Sequence, residues 1–323
     1  MRTSTYTVPP GLVVTVRSSG RLRLLSHVLG DETPSQATPA LDLDLSGRDG
    51  EATARDTTVR GVYKALPWSC RLSPRAEGSW SIAFRSLLYR EYLALHIALL
   101  PSLRRLLLER GVAMSIGAAF VRDGDATLIA GRTGRGKTSL VLGAIERGAS
   151  FIGDEYVGLH ESGDVTPVIR SLALRRATLS LAPRTFARLS VSRKLSLRIA
   201  QAATSITRGF LQPLVHIPPH ELIDGAPEAA GHLRRFFWLE AADAVRCEAM
   251  PSGEAAEQLA TLQQLHDVAY GDLGAFIGGA PYPDRWREIA THALDGVSCY
   301  RLSLPARADI PREALDLVLE PAA

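Results

Sequence analysis

The sequence predicts an α/β fold: a large domain built on a strand, a glycine-rich loop and a helix, with a small β-rich N-terminal domain before it. Three observations carry this. The first is Leu128-Ile129-Ala130-Gly131-Arg132-Thr133-Gly134-Arg135-Gly136-Lys137-Thr138-Ser139-Leu140-Val141-Leu142, where an apolar run stops at Gly131 and Lys137-Thr138 opens a helical pattern. The second is the succession of strand-like and helix-like segments on either side of that loop. The third is the β-rich character of residues 1–80, so that domains of 1–80 and 81–323 are expected.

Taken in order, Gly11-Leu12-Val13-Val14-Thr15-Val16 is β-branched behind a Pro-Pro-Gly turn. Leu41-Asp42-Leu43-Asp44-Leu45 alternates as a half-buried strand does, and Ser79 to Phe84 reads as one more strand. Gly30 to Thr38 is polar and reads as a loop. From Leu87 to Arg110 the period becomes helical, and Pro101 should split the stretch into two helices. His96, inside that apolar pattern, reads as a packed histidine. Val112 to Phe120 and Ala126 to Ala130 should pair as a hairpin across Asp123-Gly124-Asp125.

Beyond the glycine-rich loop a helix should run to Arg147 and stop at Gly148. An apolar strand interrupted by Asp154-Glu155 follows, then a turn into Val165 to Arg170. Residues 165–220 contain no Asp or Glu but carry nine Arg or Lys residues, from Arg170 to Arg208, punctuated by aliphatic side chains. That block reads either as a helical subdomain with a solvated basic face or as a positive wall that gathers phosphates. His216-Ile217-Pro218-Pro219-His220 has the spacing of helical metal ligands, yet its two prolines forbid the helix, so a loop is expected. Strands are expected at Arg235 to Leu239, Val245 to Met250 and Ser298 to Leu304. Helices are expected at Ser252 to His266, Trp286 to Leu294 and Pro311 to Leu319, with a loop over Gly271 to Asp284.

Composition narrows the class. A chain of 323 residues with a formal net charge of +3 gives no global reason to bind nucleic acid. Its three cysteines, Cys70, Cys247 and Cys299, are far apart and have neither disulfide nor metal spacing. No apolar run approaches the ~18 residues of a membrane span, and the N-terminal residues lack the long apolar core of a signal peptide. A cytoplasmic protein, with no membrane or nucleic-acid partner, is expected.

The glycine-rich stretch spells G-x-x-x-x-G-K-[ST] in a strand–loop–helix context, the phosphate-binding loop. Glycines let consecutive backbone N–H groups turn toward phosphate oxygens, and the helix N-terminus adds its positive end. Gly131, Arg132, Thr133, Gly134, Arg135, Gly136, Lys137, Thr138 and Ser139 are therefore the candidate nucleotide contacts. Lys137 brings a mobile charge, and Thr138 offers a hydroxyl to Mg²⁺. The chain contains no Asn, which excludes the N-K-x-D guanine reader of Ras-like GTPases. Adjacent acids on a regular strand point to opposite faces, so Asp154 and Glu155 share one site only if the strand ends or bulges there, which Gly153 permits.

The loop, followed by Glu146-Arg147-Gly148-Ala149 and Phe151-Ile152-Gly153-Asp154-Glu155-Tyr156-Val157-Gly158-Leu159, resembles the HPr kinase/phosphorylase family and its kinase-like relatives. Pro167-Val168-Ile169-Arg170-Ser171-Leu172 continues the resemblance, which covers roughly residues 85–305 and is most specific between 128 and 175. It implies a mixed-sheet, PEP carboxykinase-like P-loop kinase domain. It also implies ATP and Mg²⁺, with transfer of the γ-phosphate to a hydroxyl, most typically a serine of a protein or of a ribosomally made peptide. A homo-oligomer is allowed, since the family often assembles.

Carried over residue by residue, Asp154 would be the base that takes the hydroxyl proton. Glu155, with Thr138, would hold the metal. Lys137 and Arg170 or Arg175 would steady the transferring group. Glu155 stands where the family has a second Asp, and Gly117 stands near the place where relatives often carry His. The family's E-x-R-G-x-G signature is degraded to Ala173-Leu174-Arg175-Arg176-Ala177-Thr178. A small-molecule hydroxyl kinase and a nucleotide-sensing module are the alternatives.

Overall fold

The computed structural model describes residues 2–9, 11–20, 23–30, 32–33, 37–46, 55–63, 66–75, 78–88, 90–169, 171–179, 181–208, 214–223, 227–270, 282–305 and 310–320. Arg170 and most of the expected loop of 271–284 lie outside the described residues. The protein is a mixed α/β structure of two compact units, Met1–Ala113 with Gln264–Trp286, and Met114–Gln263 with Arg287–Ala323.

In the first unit β1 (Arg2–Val8) and β2 (Leu12–Ser18) form a hairpin across Gly11, whose φ of 84° suits a residue without a Cβ. After α1 (Arg23–Leu29), β3 (Leu41–Leu45), β4 (Thr57–Tyr63), β5 (Leu66–Pro74) and β6 (Trp80–Ser86) complete a six-stranded sheet, ordered β1-β2-β3-β6-β5-β4. Leu41, Leu43 and Leu45 are fully buried, as their alternation predicts. Asp42, which alternation would turn outward, is also buried, covered by ion pairs with Arg17 and Arg75.

The expected boundary at residue 80 differs from the observed one. Trp80 opens the strand that joins β3 to β5, and the helical stretch after it packs back onto β6. The expected split at Pro101 is also corrected. Helix α2 (Arg90–Leu93) runs through a π-helical turn, Ala94–Leu99, straight into α3 (Leu100–Leu108). Pro101 follows directly on the wider π turn, and the continuous helix absorbs it there rather than breaking. His96 packs against the Tyr92 ring, with centroids 4.4 Å apart.

The second unit opens with β7 (Val112–Arg122) and β8 (Asp125–Gly131), an antiparallel hairpin whose two loop residues, Asp123 and Gly124, have φ of 54° and 87°. Two positive φ values make the turn whose twist matches the flanking strands. Then follow α4 (Lys137–Glu146), β9 (Ser150–Gly153), β10 (Tyr156–His160), β11 (Asp164–Pro167), β12 (Leu172–Leu174), α5 (Pro183–Arg188), α6 (Val191–Ile206) and β13 (Val215–Ile217). The chain continues through β14 (Gly231–Ala242), β15 (Arg246–Ala249), α7 (Ser252–Tyr270), α8 (Tyr282–Ala293), β16 (Ser298–Pro305) and α9 (Arg312–Leu319).

These strands make an eight-stranded mixed sheet, ordered β11-β10-β7-β8-β14-β16-β15, with β9 paired to β7. β8, β14 and β16 run parallel at its centre, while β7 and β15 flank them antiparallel. A separate ribbon pairs β12 with β13. His216, expected in a loop, is therefore a strand residue paired with Ala173, and its Nδ1 lies 3.1 Å from the Ser171 hydroxyl.

Helix α4 packs its buried side, including Leu140, Val141 and Ala144, into the core below the loop. Helix α9 closes over it, so that a Cβ on Gly143 would stand 2.7 Å from Leu315 Cδ2. The last carbonyls of α9 are orphaned by helix geometry and take hydrogen bonds from Arg122 and Arg235, cations that also suit the helix's negative end. Among the described residues no helix is long and apolar enough to cross a membrane.

Candidate active site

The loop Arg132–Gly136 leaves the carboxyl end of β8, which pairs in parallel with β14, and enters α4. In open α/β sheets this strand end is where ligands gather. Gly131 has φ of 145°, and a Cβ there would sit 2.8 Å from the carbonyl oxygen of Leu239 on β14. Gly134 has φ of 81°. Gly136, the N-cap of α4, has φ of 98° and lies so close to Ile310 that an added Cβ would fall 2.3 Å from its Cδ1. The α4 N-terminus has no side-chain cap, so its first N–H groups keep their capacity for an anion. Arg132, Thr133 and Gly134 are exposed, Arg135, Gly136, Lys137 and Thr138 are half-buried, and Ser139 is buried.

The Lys137 ammonium donates to the carbonyls of Gly131 at 2.6 Å and Arg132 at 3.1 Å, which folds it back over the loop. Burial pulls its pKa down to about 8 against the opposing pull of Asp154 and Glu155. Next in α4, the Thr138 hydroxyl donates to the Asp154 carboxylate, 3.0 Å from Oδ1 and 3.1 Å from Oδ2. Asp154 is 1% exposed and also accepts the Ala173 N–H at 3.2 Å. Burial raises its pKa, although the Thr138 hydroxyl and the N–H groups of Ala173 and Glu155 favour the charged form.

The adjacent acids reach one site because the strand breaks between them and β10. β9 ends at Gly153 and β10 begins at Tyr156. Glu155 has φ of 66°, and the Tyr156 N–H bonds to the Asp154 carbonyl at 2.9 Å, forming a γ-turn centred on Glu155. A positive φ at a glutamate is strained, and such strain gathers at functional sites. The sequence foresaw the break but credited Gly153. Gly153 instead has ordinary backbone, and its missing Cβ makes room for Val157 and Pro167. The Glu155 carbonyl is held by the Gly117 N–H at 3.1 Å. Burial and the neighbouring Asp154 push the Glu155 carboxyl up to about 8, against Lys137 and Arg175.

No protein-family model matches this chain, and no curated protein does. Among solved structures it is similar to the HPr(Ser) kinase/phosphatase from Coxiella burnetii, at 12% identity over 64% of this chain and 91% of that one, with a TM-score of 0.26. So loose an overlay carries no reaction across, and the functional reading rests on this chain's own residues.

Of the two candidate arginines, Arg170 lies outside the described residues. Arg175 follows β12 directly, within electrostatic reach of Glu155, and its buried Nε has no hydrogen-bond partner among the described residues. A buried guanidinium nitrogen without an acceptor is costly unless something completes it.

Sequence reasoning missed the Ala173 N–H on Asp154, the Gly117 N–H on Glu155, and Ile310 against Gly136. The first two are backbone groups from distant strands, which no residue type announces. The third is a packing contact from 174 residues further on (310 minus 136).

The donors present fit a nucleotide and its magnesium. Among the described residues no cluster of three or more His, Cys, Asp or Glu forms a metal cage. A hydroxyl and one or two carboxylates beside a phosphate cradle are what Mg²⁺ commonly uses, with phosphate and water completing its shell.

Proposed function

We propose that this chain is an ATP-dependent phosphotransferase that moves the γ-phosphoryl group directly to a hydroxyl, with serine of a protein or ribosomally made peptide as the acceptor. The observation that carries the reading is the contact of the Thr138 hydroxyl with both oxygens of Asp154 at the mouth of the glycine loop. It joins a residue in the first turn of α4 to a buried carboxylate just past the end of another strand. The left-handed glycines and the uncapped α4 N-terminus would cradle the phosphates, and Lys137 would swing from its carbonyl partners to the β- and γ-phosphates.

Magnesium, when bound, would neutralise phosphate charge, and Thr138 and Glu155 would hold it. A hydroxyl that donates its hydrogen to Asp154 still has two lone pairs to offer. In the transfer, the acceptor oxygen forms a bond to the γ-phosphorus as the bond to the ADP oxygen breaks. ADP leaves with that electron pair, and the acceptor's proton passes to Asp154. A carboxylate whose pKa burial has raised is a better proton acceptor than an exposed one. Arg175, or Arg170 five residues before it, would supply positive charge to the equatorial oxygens.

The test is mass spectrometry after incubation with MgATP and serine-bearing peptides or small hydroxyl metabolites. A gain of one phosphoryl group on a peptide serine is expected. Transfer to metabolites alone would move the reading to a small-molecule kinase, and no transfer to either would overturn it.

A further inference from the structure

Helix α6 buries Leu197 and Ala200, and on its opposite side it exposes a second apolar line. Val191, Leu195, Ile199 and Ile206 are 81%, 54%, 61% and 81% exposed, and the exposed Ala202 completes the spacing 191-195-199-202-206. Steps of four, four, three and four residues keep one face of a helix, so these side chains form a continuous seam. A single exposed aliphatic residue needs no explanation, but a seam along a whole helix does.

The surroundings of the seam indicate what covers it. Arg198 borders it, and Arg184 and Arg208 are exposed on the same segment, within a block of residues 165–220 that has no Asp or Glu. Arg193, by contrast, is paired with Glu221 at 2.7 Å, and Lys194 donates to the Ala187 carbonyl.

We infer that α6 is a docking helix for an acidic amphipathic segment of another polypeptide, whose aliphatic side chains would cover the seam and whose carboxylates would meet the arginines. A second copy of this chain fits worse, because α6 packed on α6 about an axis near Ile199 would bring the Arg198 side chains together. A bilayer also fits worse. The seam is about one side chain wide, carries no aromatic residue and is bordered on its other flank by Ser192 and Ser196, whereas helices that lie in membranes present a broad apolar face, often with Trp or Phe. Helix α6 packs on β13 and on the turn Arg176–Leu179 that follows Arg175, so the docked segment would sit on the unit that carries the candidate site. The inference does not require phosphoryl transfer, and a failed transfer assay leaves it standing.

The probe is a labelled amphipathic helical peptide of Leu, Ala and Glu, titrated with the full chain and followed by fluorescence anisotropy. A control peptide carries Lys in place of every Glu. Saturable binding of the acidic peptide is expected, weakened about tenfold or more by Ile199→Glu or Leu195→Glu at the centre of the seam, and weakened by Arg198→Glu and by added salt. Both seam positions are exposed, and unchanged circular dichroism and melting of the variants would confirm that the fold survives. Equal binding of the two peptides, or binding of neither, would overturn the inference. So would binding to phosphatidylserine vesicles without binding of the peptide, or a self-association that Ile199→Glu abolishes.

Discussion

Glu155 concentrates the tension in the site, because it combines a left-handed backbone with a carboxyl that burial holds protonated up to about 8. Replacing it with glycine should relieve the backbone strain and raise the unfolding free energy by about 1 kcal/mol in a denaturant titration, while weakening any magnesium-dependent activity. A loss of stability in Glu155→Gly would show that the γ-turn is held by the glutamate side chain itself.

The same residue sets a pH dependence. Its pKa rises from 4.5 in the unfolded chain to about 8 in the folded one, so the folded state binds more protons between those values and loses stability as pH increases. Lys137 acts oppositely at higher pH. Its pKa falls from 10.5 to about 8, so its contribution to stability recovers from about pH 8 upward. Across pH 4.5 to 8 the protein should therefore lose stability relative to Glu155→Gln, as measured by urea midpoints of the pair. A constant difference between the two would contradict this.

At the level of elements, β14 closes on Gly131 and the segment before α9 closes on Gly136, the glycines at the two ends of the loop. Gly131→Ala would place a methyl group 2.8 Å from the Leu239 carbonyl at a φ of 145°, which pushes β8 and β14 apart. A loss of about 2–3 kcal/mol in stability and of most nucleotide affinity is expected, read by thermal unfolding and by titration with an ATP analogue.

The hairpin β7–β8, the loop, α4 and the interrupted strand were legible in the sequence because each is specified by residues close together in the chain. Turn chemistry, a run of glycines and an apolar period act within a dozen residues. The placement of β14 between β8 and β16 was not legible, since parallel neighbours are joined through long connections that leave no local mark. Nor was the π turn before Pro101. A proline is normally read as a break, and only the backbone shows that a wider π turn ahead of it lets the helix continue. In the site, the loop and both acids could be found from residue types, while the backbone donors Gly117 and Ala173 could not.

Across the whole molecule, the strand end at β8 brings together a glycine-rich loop, a hydroxyl, two carboxylates, a lysine and an arginine, all within the second unit. The first unit, with its own six-stranded sheet, supplies none of the described residues of that site. The acid-free block divides its arginines between the edge of the site, at Arg175, and the exposed seam of α6.

In the proposed transfer Asp154 serves the chemical step rather than nucleotide binding, and Asp154→Asn keeps the shape of the side chain while removing its charge. The deciding measurement is phosphoryl transfer to a peptide serine by Asp154→Asn and by the unaltered chain, alongside the affinity of each for MgATP. Transfer reduced by about a hundredfold or more, with affinity changed by no more than a few-fold, is the predicted result. Equal transfer by both chains would contradict it.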